Sequence, residues 1–156
     1  MSTYVIERDI EIAAPIEVVW RTITEPEQIR RWFSDAAEIE AHQGAAGTLT
    51  FEGDRTGEPL VVNITVVAAD RPHRFSFRWI HPAGVTPTAE NSVLVTFTLT
   101  ERGAERTQLR VAETGIEGLD WPDEEKTRYV DQHRHGWQTY GDKLRDLFTA
   151  ANEKSP

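Results

Sequence analysis

Apolar and polar residues alternate along most of the chain, which predicts that strands dominate it and that helices lie near its two ends. Residues 3 to 12 place four β-branched apolar side chains among charged ones, a pattern typical of a partly exposed first strand. From residue 36 to about residue 115 one alternating run follows another, as in the segment 92–99. Short turns separate these runs, one of them at residues 53–57. The pattern therefore predicts an antiparallel meander with one wetter face.

Two short helices are predicted between the first strand and the meander. Pro15 suits the first turn of a helix, and apolar residues then recur at helical spacing up to residue 23. Pro26 begins a second helix, in which Trp32 and Phe33 share the apolar face.

A long C-terminal helix is predicted from about Pro122 to Ala150. Three carboxylates at positions 123–125 fall in its first turn, where the helix dipole favours negative charge. At about 100° per residue, one continuous arc collects Tyr129, His133, Gly136, Trp137, Tyr140, Leu144, Leu147 and Phe148. This arc must pack against a large surface, and the aromatic face of the strands is the natural one. Strands wrapped around such a helix usually leave a cavity between them.

The composition narrows the class of protein without revealing a function. A chain of 156 residues is the size of one domain, so we expect residues 1–156 to form a single one. Cysteine is absent, which excludes disulfides, thiolate metal sites and cysteine nucleophiles. The formal charge of −9 opposes nonspecific binding to nucleic acid or anionic membranes. With neither a membrane-spanning apolar run nor the residue order of a signal peptide, a cytoplasmic protein is expected.

Several motifs together resemble the START-like, or SRPBCC, superfamily with its helix-grip fold. The segments that carry this resemblance are Ala14-Pro15-Ile16-Glu17-Val18-Val19-Trp20, Thr24-Glu25-Pro26 and Trp32-Phe33. Within the superfamily, residues 109–116 and Gly136-Trp137, with Leu144 and Leu147, are similar to bacterial homologues of the C-terminal domain of the heat-shock-protein-90 ATPase activator. The resemblance covers nearly the whole chain. It implies an α+β fold, with a curved antiparallel sheet wrapped around the long C-terminal helix.

The same resemblance implies no single activity. The scaffold hosts lipid carriers, aromatic cyclases, antibiotic-sequestering proteins and co-chaperone modules of the stress response, so the fold is only an associational argument for function. In such proteins the position three residues before Gly136 is often an amide or an imidazole, and here it is His133.

His133 is the most informative ionisable residue of the final helix. Because it lies in the middle of the apolar arc, we expect it to face the sheet. Two interpretations stay open at this point. It is either a polar group inside a ligand pocket or a core histidine that bonds to a tyrosine hydroxyl or a backbone carbonyl.

Glu113 continues the inward phase that Leu109 and Val111 set on the last strand. A carboxylate that points inward costs desolvation energy unless it is paired, with an arginine, His133 or a polar group of a ligand. Burial should raise its pKa unless a cationic partner reverses the trend. The alternative is a bulge at Thr114-Gly115 that lets Glu113 reach solvent at the rim of the sheet.

A large aromatic set completes the candidate ligand-binding residues. Its members are Trp32, Phe33, Phe51, Phe77, Trp79, Trp137 and Tyr140. Taken singly, each is explained as core, but together they favour a cavity with aromatic walls, which suit flat apolar ligands. The Pro-rich loop at residues 80–90 is either a lid over such a cavity or a surface loop.

No motif of a known catalytic or metal site is present. His133 and His135 point nearly opposite ways on a helix, so they cannot chelate one ion, and no nucleophile elbow or phosphate-binding loop occurs. The preferred hypothesis is noncatalytic binding of a small, largely apolar, aromatic or lipid-like ligand, with Glu113 and His133 as polar anchors and no cofactor. The alternatives are a co-chaperone-like module acting on a chaperone ATPase, and a polyketide cyclase or hydratase that uses Glu113 and His133 for proton transfer. A monomer or a weak homodimer is expected.

Overall fold

A computed structural model gives the fold and describes residues 4–52, 59–79 and 91–154. Two features expected from the sequence, the turn at residues 53–57 and the loop at residues 80–90, lie outside this part of the chain.

The described strands form one antiparallel sheet of seven, as the alternating runs predict. Their bounds are β1 (Ile6–Ile12), β2 (Ala36–Glu38), β3 (Ala46–Phe51), β4 (Leu60–Asp70), β5 (Arg74–Trp79), β6 (Val93–Gly103) and β7 (Arg106–Thr114). Strands β2 to β7 follow one another as a meander, and β1 pairs with β7, which gives the order β1-β7-β6-β5-β4-β3-β2. The three-residue strand β2 is the one element of the sheet whose bounds the alternation does not indicate.

The helices are α1 (Ile16–Thr24), α2 (Pro26–Ile29) and α3 (Asp123–Lys154), with a 3₁₀ turn at Ile116–Gly118 before α3. The two short helices and the long one are confirmed. Helix α2 ends at Ile29, however, so the prediction that Trp32 and Phe33 lie on its apolar face is wrong, and both residues follow it in a turn. Helix α3 runs past its predicted end at Ala150, because residues 151–154 contain neither glycine nor proline to stop it. The 3₁₀ turn follows Gly115, whose φ of 95° is a left-handed conformation that glycine adopts at little cost. None of the described helices is both long and apolar enough to cross a membrane.

Helix α3 is fixed across β1 by a close backbone approach and by one arginine. A Cβ atom at Gly141 would lie 2.8 Å from Ile10 Cδ1 and 2.7 Å from Arg8 Nη1, so the glycine lets the helix approach the strand. The Arg8 guanidinium donates hydrogen bonds to the Trp137 carbonyl at 3.1 Å and to Asp142 Oδ1 at 2.6 Å. This contact sets which residues of α3 face the centre of the sheet.

Candidate functional site

Glu113 lies in the centre of the molecule, on the face of β7 that α3 covers. Its exposed fraction is 0%, so the alternative of a solvent-exposed carboxylate at the rim is wrong. The physical reason is an unbroken ladder on both sides of β7. Glu113 stands opposite Ile6 of β1 and Val95 of β6, and no bulge interrupts the pairing between Val111 and Thr114.

Four side chains from β5 and α3 meet the Glu113 carboxylate. Its Oε2 accepts hydrogen bonds from Trp79 Nε1 at 3.0 Å and from the Tyr129 hydroxyl. Its Oε1 lies 2.8 Å from Trp137 Nε1 and 3.1 Å from His133 Nδ1. Each oxygen therefore has two partners, which compensates the desolvation that an isolated buried carboxylate would suffer.

The contacts and the lowered pKa are both consistent with an ionised Glu113. An indole N–H only donates, and an ionised carboxylate only accepts, so all four contacts are consistent when Glu113 carries its charge. Burial by itself raises the pKa of Glu113, but the hydrogen bond from His133, the charge of that imidazole when protonated, and the hydrogen bonds from Tyr129 and Trp137 bring it below its ordinary value. These hydrogen bonds, together with the charge of His133 when it is protonated, thus reverse the rise in the pKa of Glu113 that burial alone would cause. Burial and the charge of Glu113 raise the pKa of Tyr129 well above its ordinary value, which keeps that phenol protonated.

His133 lies between the buried carboxylate and a cavity. Because ionised Glu113 can only accept, the Nδ1 of His133 carries a proton. The imidazole stacks on the Tyr129 ring at a centroid distance of 3.7 Å and meets the Trp79 ring edge-on at 5.7 Å. With 19% of its side chain exposed, it combines the two interpretations, since it is a paired histidine that also borders open space.

The cavity has a volume of about 270 Å³ and opens between α3 and the ends of β3, β4 and β5. Its described lining consists of Phe51, Leu60, Trp79, Gln132, His133, Gly136, Trp137 and Tyr140. Five of the predicted site residues are brought together here: Phe51, Trp79, His133, Trp137 and Tyr140. The described lining contains no lysine, arginine, aspartate or glutamate, and the described residues hold no group of three metal-ligating side chains.

The other four predicted residues are not among the described residues that line the cavity: Trp32, Phe33, Phe77 and Glu113. Phe33 stacks between Trp32 and Trp137, at centroid distances of 5.2 and 5.3 Å, so its ring supports the wall from behind. Trp32 donates its indole N–H to the Thr22 carbonyl at 3.0 Å.

Phe77 packs in the sheet core against Phe75 and Phe97, at 6.0 and 6.3 Å. Glu113 is screened from the cavity because its two oxygens already bond to the wall residues and to Tyr129.

Three lining residues, Leu60, Gln132 and Gly136, were not predicted to be site residues. The sequence contains a signal only for Gly136, since glycine in a helix interior is costly and usually has a packing reason. No such reason is present, because a Cβ atom at Gly136 would meet nothing closer than Tyr140 Cε2 at 3.8 Å. Leu60 is one of the two exposed large apolar residues described, and nothing in the alternation of β4 distinguishes it.

The comparisons with known proteins agree with this architecture. MLL2253 from Mesorhizobium loti is 23% identical, with a TM-score of 0.72, over 97% of this chain and 99% of that one. The Aha1 dimer from Colwellia psychrerythraea is 17% identical, with a TM-score of 0.71, over 92% of this chain and 95% of that one. DynU16, from the dynemicin biosynthetic locus, is 25% identical with a TM-score of 0.72, and the match covers 96% of this chain but 49% of that one.

No curated protein shows significant similarity to this chain. The family described as Activator of Hsp90 ATPase homolog 1-like protein matches residues 13–149, which is most of the sequence. The chain therefore belongs to the Activator of Hsp90 ATPase homolog 1-like family, a branch of the START-like superfamily with the helix-grip fold.

Proposed function

We propose that this protein binds one small, largely apolar aromatic ligand in the cavity beneath α3, without catalysing a reaction on it. The observation that carries the proposal is the cavity itself, whose walls are the rings of Phe51, Trp79, Trp137 and Tyr140. Aromatic walls give a flat ligand a large contact area at a low cost in side-chain entropy. The volume of about 270 Å³ lies just under the common range of about 300–1,000 Å³ for ligand pockets, which favours a ligand of one or two rings over a long acyl chain.

His133 is the polar contact for such a ligand, and Glu113 is its positioning residue. The carboxylate fixes the imidazole through Nδ1, so the ring keeps one orientation at the edge of the cavity. This changes the role expected for Glu113, which orients the anchor without touching the ligand.

The test is a titration of tryptophan fluorescence with a panel of flat aromatic and fatty compounds. We expect saturable quenching by the aromatic members, because two of the five tryptophans line the cavity. His133→Leu should weaken binding several-fold. His135→Leu is the matched control, since it makes the same change on the exposed side of α3 and should leave binding unchanged. Equal weakening by both variants, or no quenching by any compound in a folded protein, would contradict the proposal.

A second candidate function is acid–base catalysis of the cyclase or hydratase kind. It is favoured by the hydrogen bond of 3.1 Å between Glu113 and His133, because a carboxylate that orients an imidazole next to a substrate pocket is a common arrangement for proton transfer. Incubation with cyclisable aromatic polyketides, followed by mass spectrometry, tests it. Conversion that disappears in His133→Gln, while binding persists, would establish catalysis.

A chaperone partner has weaker support in the structure. The large apolar side chains described as exposed are Leu60 and Val61, at 40% and 39%, which make a small patch for a protein interface. Stimulation of a heat-shock-protein-90 ATPase by the purified protein, unaffected by compounds that fill the cavity, would favour the interaction module over ligand binding. Sedimentation of the free protein would distinguish the monomer from the weak homodimer.

A further inference from the structure

The wall of the cavity hides a carboxylate that forms no ion pair with a lysine or arginine among the described residues. The four groups bonded to Glu113 are two indoles, a phenol and an imidazole. Only the imidazole of His133 can carry a positive charge, and the other three compensate the carboxylate through dipoles alone. The charge is therefore buried a single side chain away from the space that a ligand would occupy.

We propose that the cavity selects ligands by charge, accepting neutral aromatic compounds and rejecting anionic ones of the same shape, and that Glu113 determines this selectivity. This inference rests on the proposed function, because it concerns the ligand of that same cavity. It makes Glu113 a specificity-determining residue that acts through Trp79, Trp137 and His133.

The first step of the argument is the electrostatic environment of an anion in the cavity. An anionic ligand would lose water at an apolar wall and find no described lysine or arginine to pair with. It would also come close to Glu113 in a region of low dielectric, where like charges repel more strongly than in water. A neutral amide or hydroxyl avoids both the loss of an anion's hydration and the repulsion by Glu113, and it can form a hydrogen bond with the wall.

The second step concerns the other charged groups around the cavity. Asp35 adds negative potential at the wall residue Tyr140, whose pKa is raised first by burial and then by the charge of this carboxylate. Arg134 is close in sequence to His133, but its side chain is 51% exposed and faces Asp131 at 3.8 Å. Arg8 bonds to the carbonyl of the wall residue Trp137, but its guanidinium is paired with Asp142 at 2.6 Å.

The third step concerns geometry, because Glu113 also holds the wall in place. Both indole N–H groups of the lining point at its carboxylate, so the planes of Trp79 and Trp137 depend on it. These two N–H groups provide a direct spectroscopic signal, since each tryptophan gives one indole resonance and the chain has five tryptophans.

The experiment compares 2-naphthamide with 2-naphthoate, two compounds of nearly the same shape that differ in charge, at pH 8. Titrations are followed by the indole ¹H–¹⁵N resonances, which Trp79→Phe and Trp137→Phe assign. We expect 2-naphthamide to shift both cavity indoles and to bind at least about tenfold more tightly than 2-naphthoate, a factor of ten being about 1.4 kcal/mol. Equal or tighter binding of 2-naphthoate would overturn the charge selectivity and leave the binding function intact. Failure of both compounds to shift any indole would overturn the inference together with the proposed function.

Two carboxylate variants show which charge is responsible. In Glu113→Gln the preference for the amide should fall towards unity, and in Asp35→Asn it should stay within about twofold of the wild-type value. The opposite pattern would assign the selectivity to Asp35 and overturn the role of Glu113. If Glu113→Gln does not fold, Asp35→Asn alone still decides, because a preference that disappears in that variant excludes Glu113 as its source.

Discussion

Replacing Gly136 by alanine should stabilise the protein and weaken ligand binding, two effects that are seldom combined in one substitution. Gly136 lies in the interior of α3 and lines the cavity. Among the described residues a methyl group there meets only Tyr140 Cε2, at the ordinary contact distance of 3.8 Å, so it introduces no strain against them. The added carbon projects into the space that the proposed ligand would fill.

The magnitudes follow from the helix and from the cavity volume. Alanine is favoured over glycine in a helix interior by about 0.5–1 kcal/mol, which for a chain of this size raises Tm by about 1–4 °C. A methyl group takes about the space of a water molecule, about 30 Å³, or roughly a tenth of the 270 Å³ cavity. Forcing a ligand into a site that is short by one methyl group costs about 1–3 kcal/mol, so binding should weaken by about fivefold to about 150-fold.

Gly141→Ala is the matched control on the same helix. There the new Cβ atom would lie 2.7 Å from Arg8 Nη1 and 2.8 Å from Ile10 Cδ1, and neither atom is free to yield. Arg8 bonds to α3, and Ile10 is buried, with 4% exposed. We therefore expect Gly141→Ala to lower Tm. Thermal melts and a titration with 2-naphthamide measure both properties. Wild-type affinity in Gly136→Ala would refute the assignment of the cavity as the site, and a lower Tm would refute the absence of a packing role for Gly136.

Further predictions concern the buried carboxylate and the edge of the sheet. Because the pKa of Glu113 is lowered from an ordinary 4.5, its contribution to stability should be complete above that pH and lost as the pH falls towards the lowered pKa. Urea unfolding at pH 7 and pH 3 should then show a smaller difference in Glu113→Gln than in the wild type. Tyr129→Phe removes one of the four donors to Glu113 and should cost about 1–3 kcal/mol of unfolding free energy, so a loss below about 0.5 kcal/mol would contradict the network. Gly47→Ala would bring a Cβ atom into a clash with the Glu38 carbonyl oxygen, and its urea midpoint should fall because that oxygen belongs to the backbone and cannot rotate away.

Most of the fold could be predicted because its longer elements follow from local patterns. The alternation from Val93 to Leu99 gives a strand whose odd positions are buried, and that burial is what the structure shows in β6. Pro15 directly precedes the first residue of α1, and Pro26 is the first residue of α2. Strand β2 and the 3₁₀ turn are three residues long, which is too short for a periodic pattern to be visible.

The inward direction of Glu113 could also be predicted, but its environment could not. The phase of Leu109 and Val111 is local to β7, whereas the four donors come from β5 and from two turns of α3. Which of them reach the carboxylate depends on how α3 lies on the sheet, and this is set by the approach of Gly141 to β1. The direction in which the pKa of Glu113 shifts follows from the same contacts. The sequence could therefore give only two alternatives, a pKa raised by burial or one lowered by a partner.

Which aromatic residues belong to the core and which to the cavity wall likewise depends on tertiary packing. All seven predicted members point inward, and the sequence offers no means to order them by depth. In the structure Phe33 stacks on Trp137 and occupies the space behind it, so the cavity lies on the other side of the rings that line it. A glycine on the apolar arc of α3 is the exception, because a missing side chain on a face of large ones marks a gap.

The hydrogen-bonded carboxylate is an expensive way to fill the centre of a small protein, and this cost is an argument for its role. A buried charge is seldom more stabilising than apolar side chains of the same volume, and removing it alone would leave two indoles, a phenol and an imidazole without their acceptor. Three of these four groups form the wall of the cavity. Packing alone would be served by leucine and phenylalanine at these positions, with no donor to satisfy. The hydrogen bonds to Glu113 instead fix the planes of Trp79 and Trp137 and the tautomer of His133, at a cost in stability. This cost is explained if these three side chains have to contact a ligand in one defined geometry.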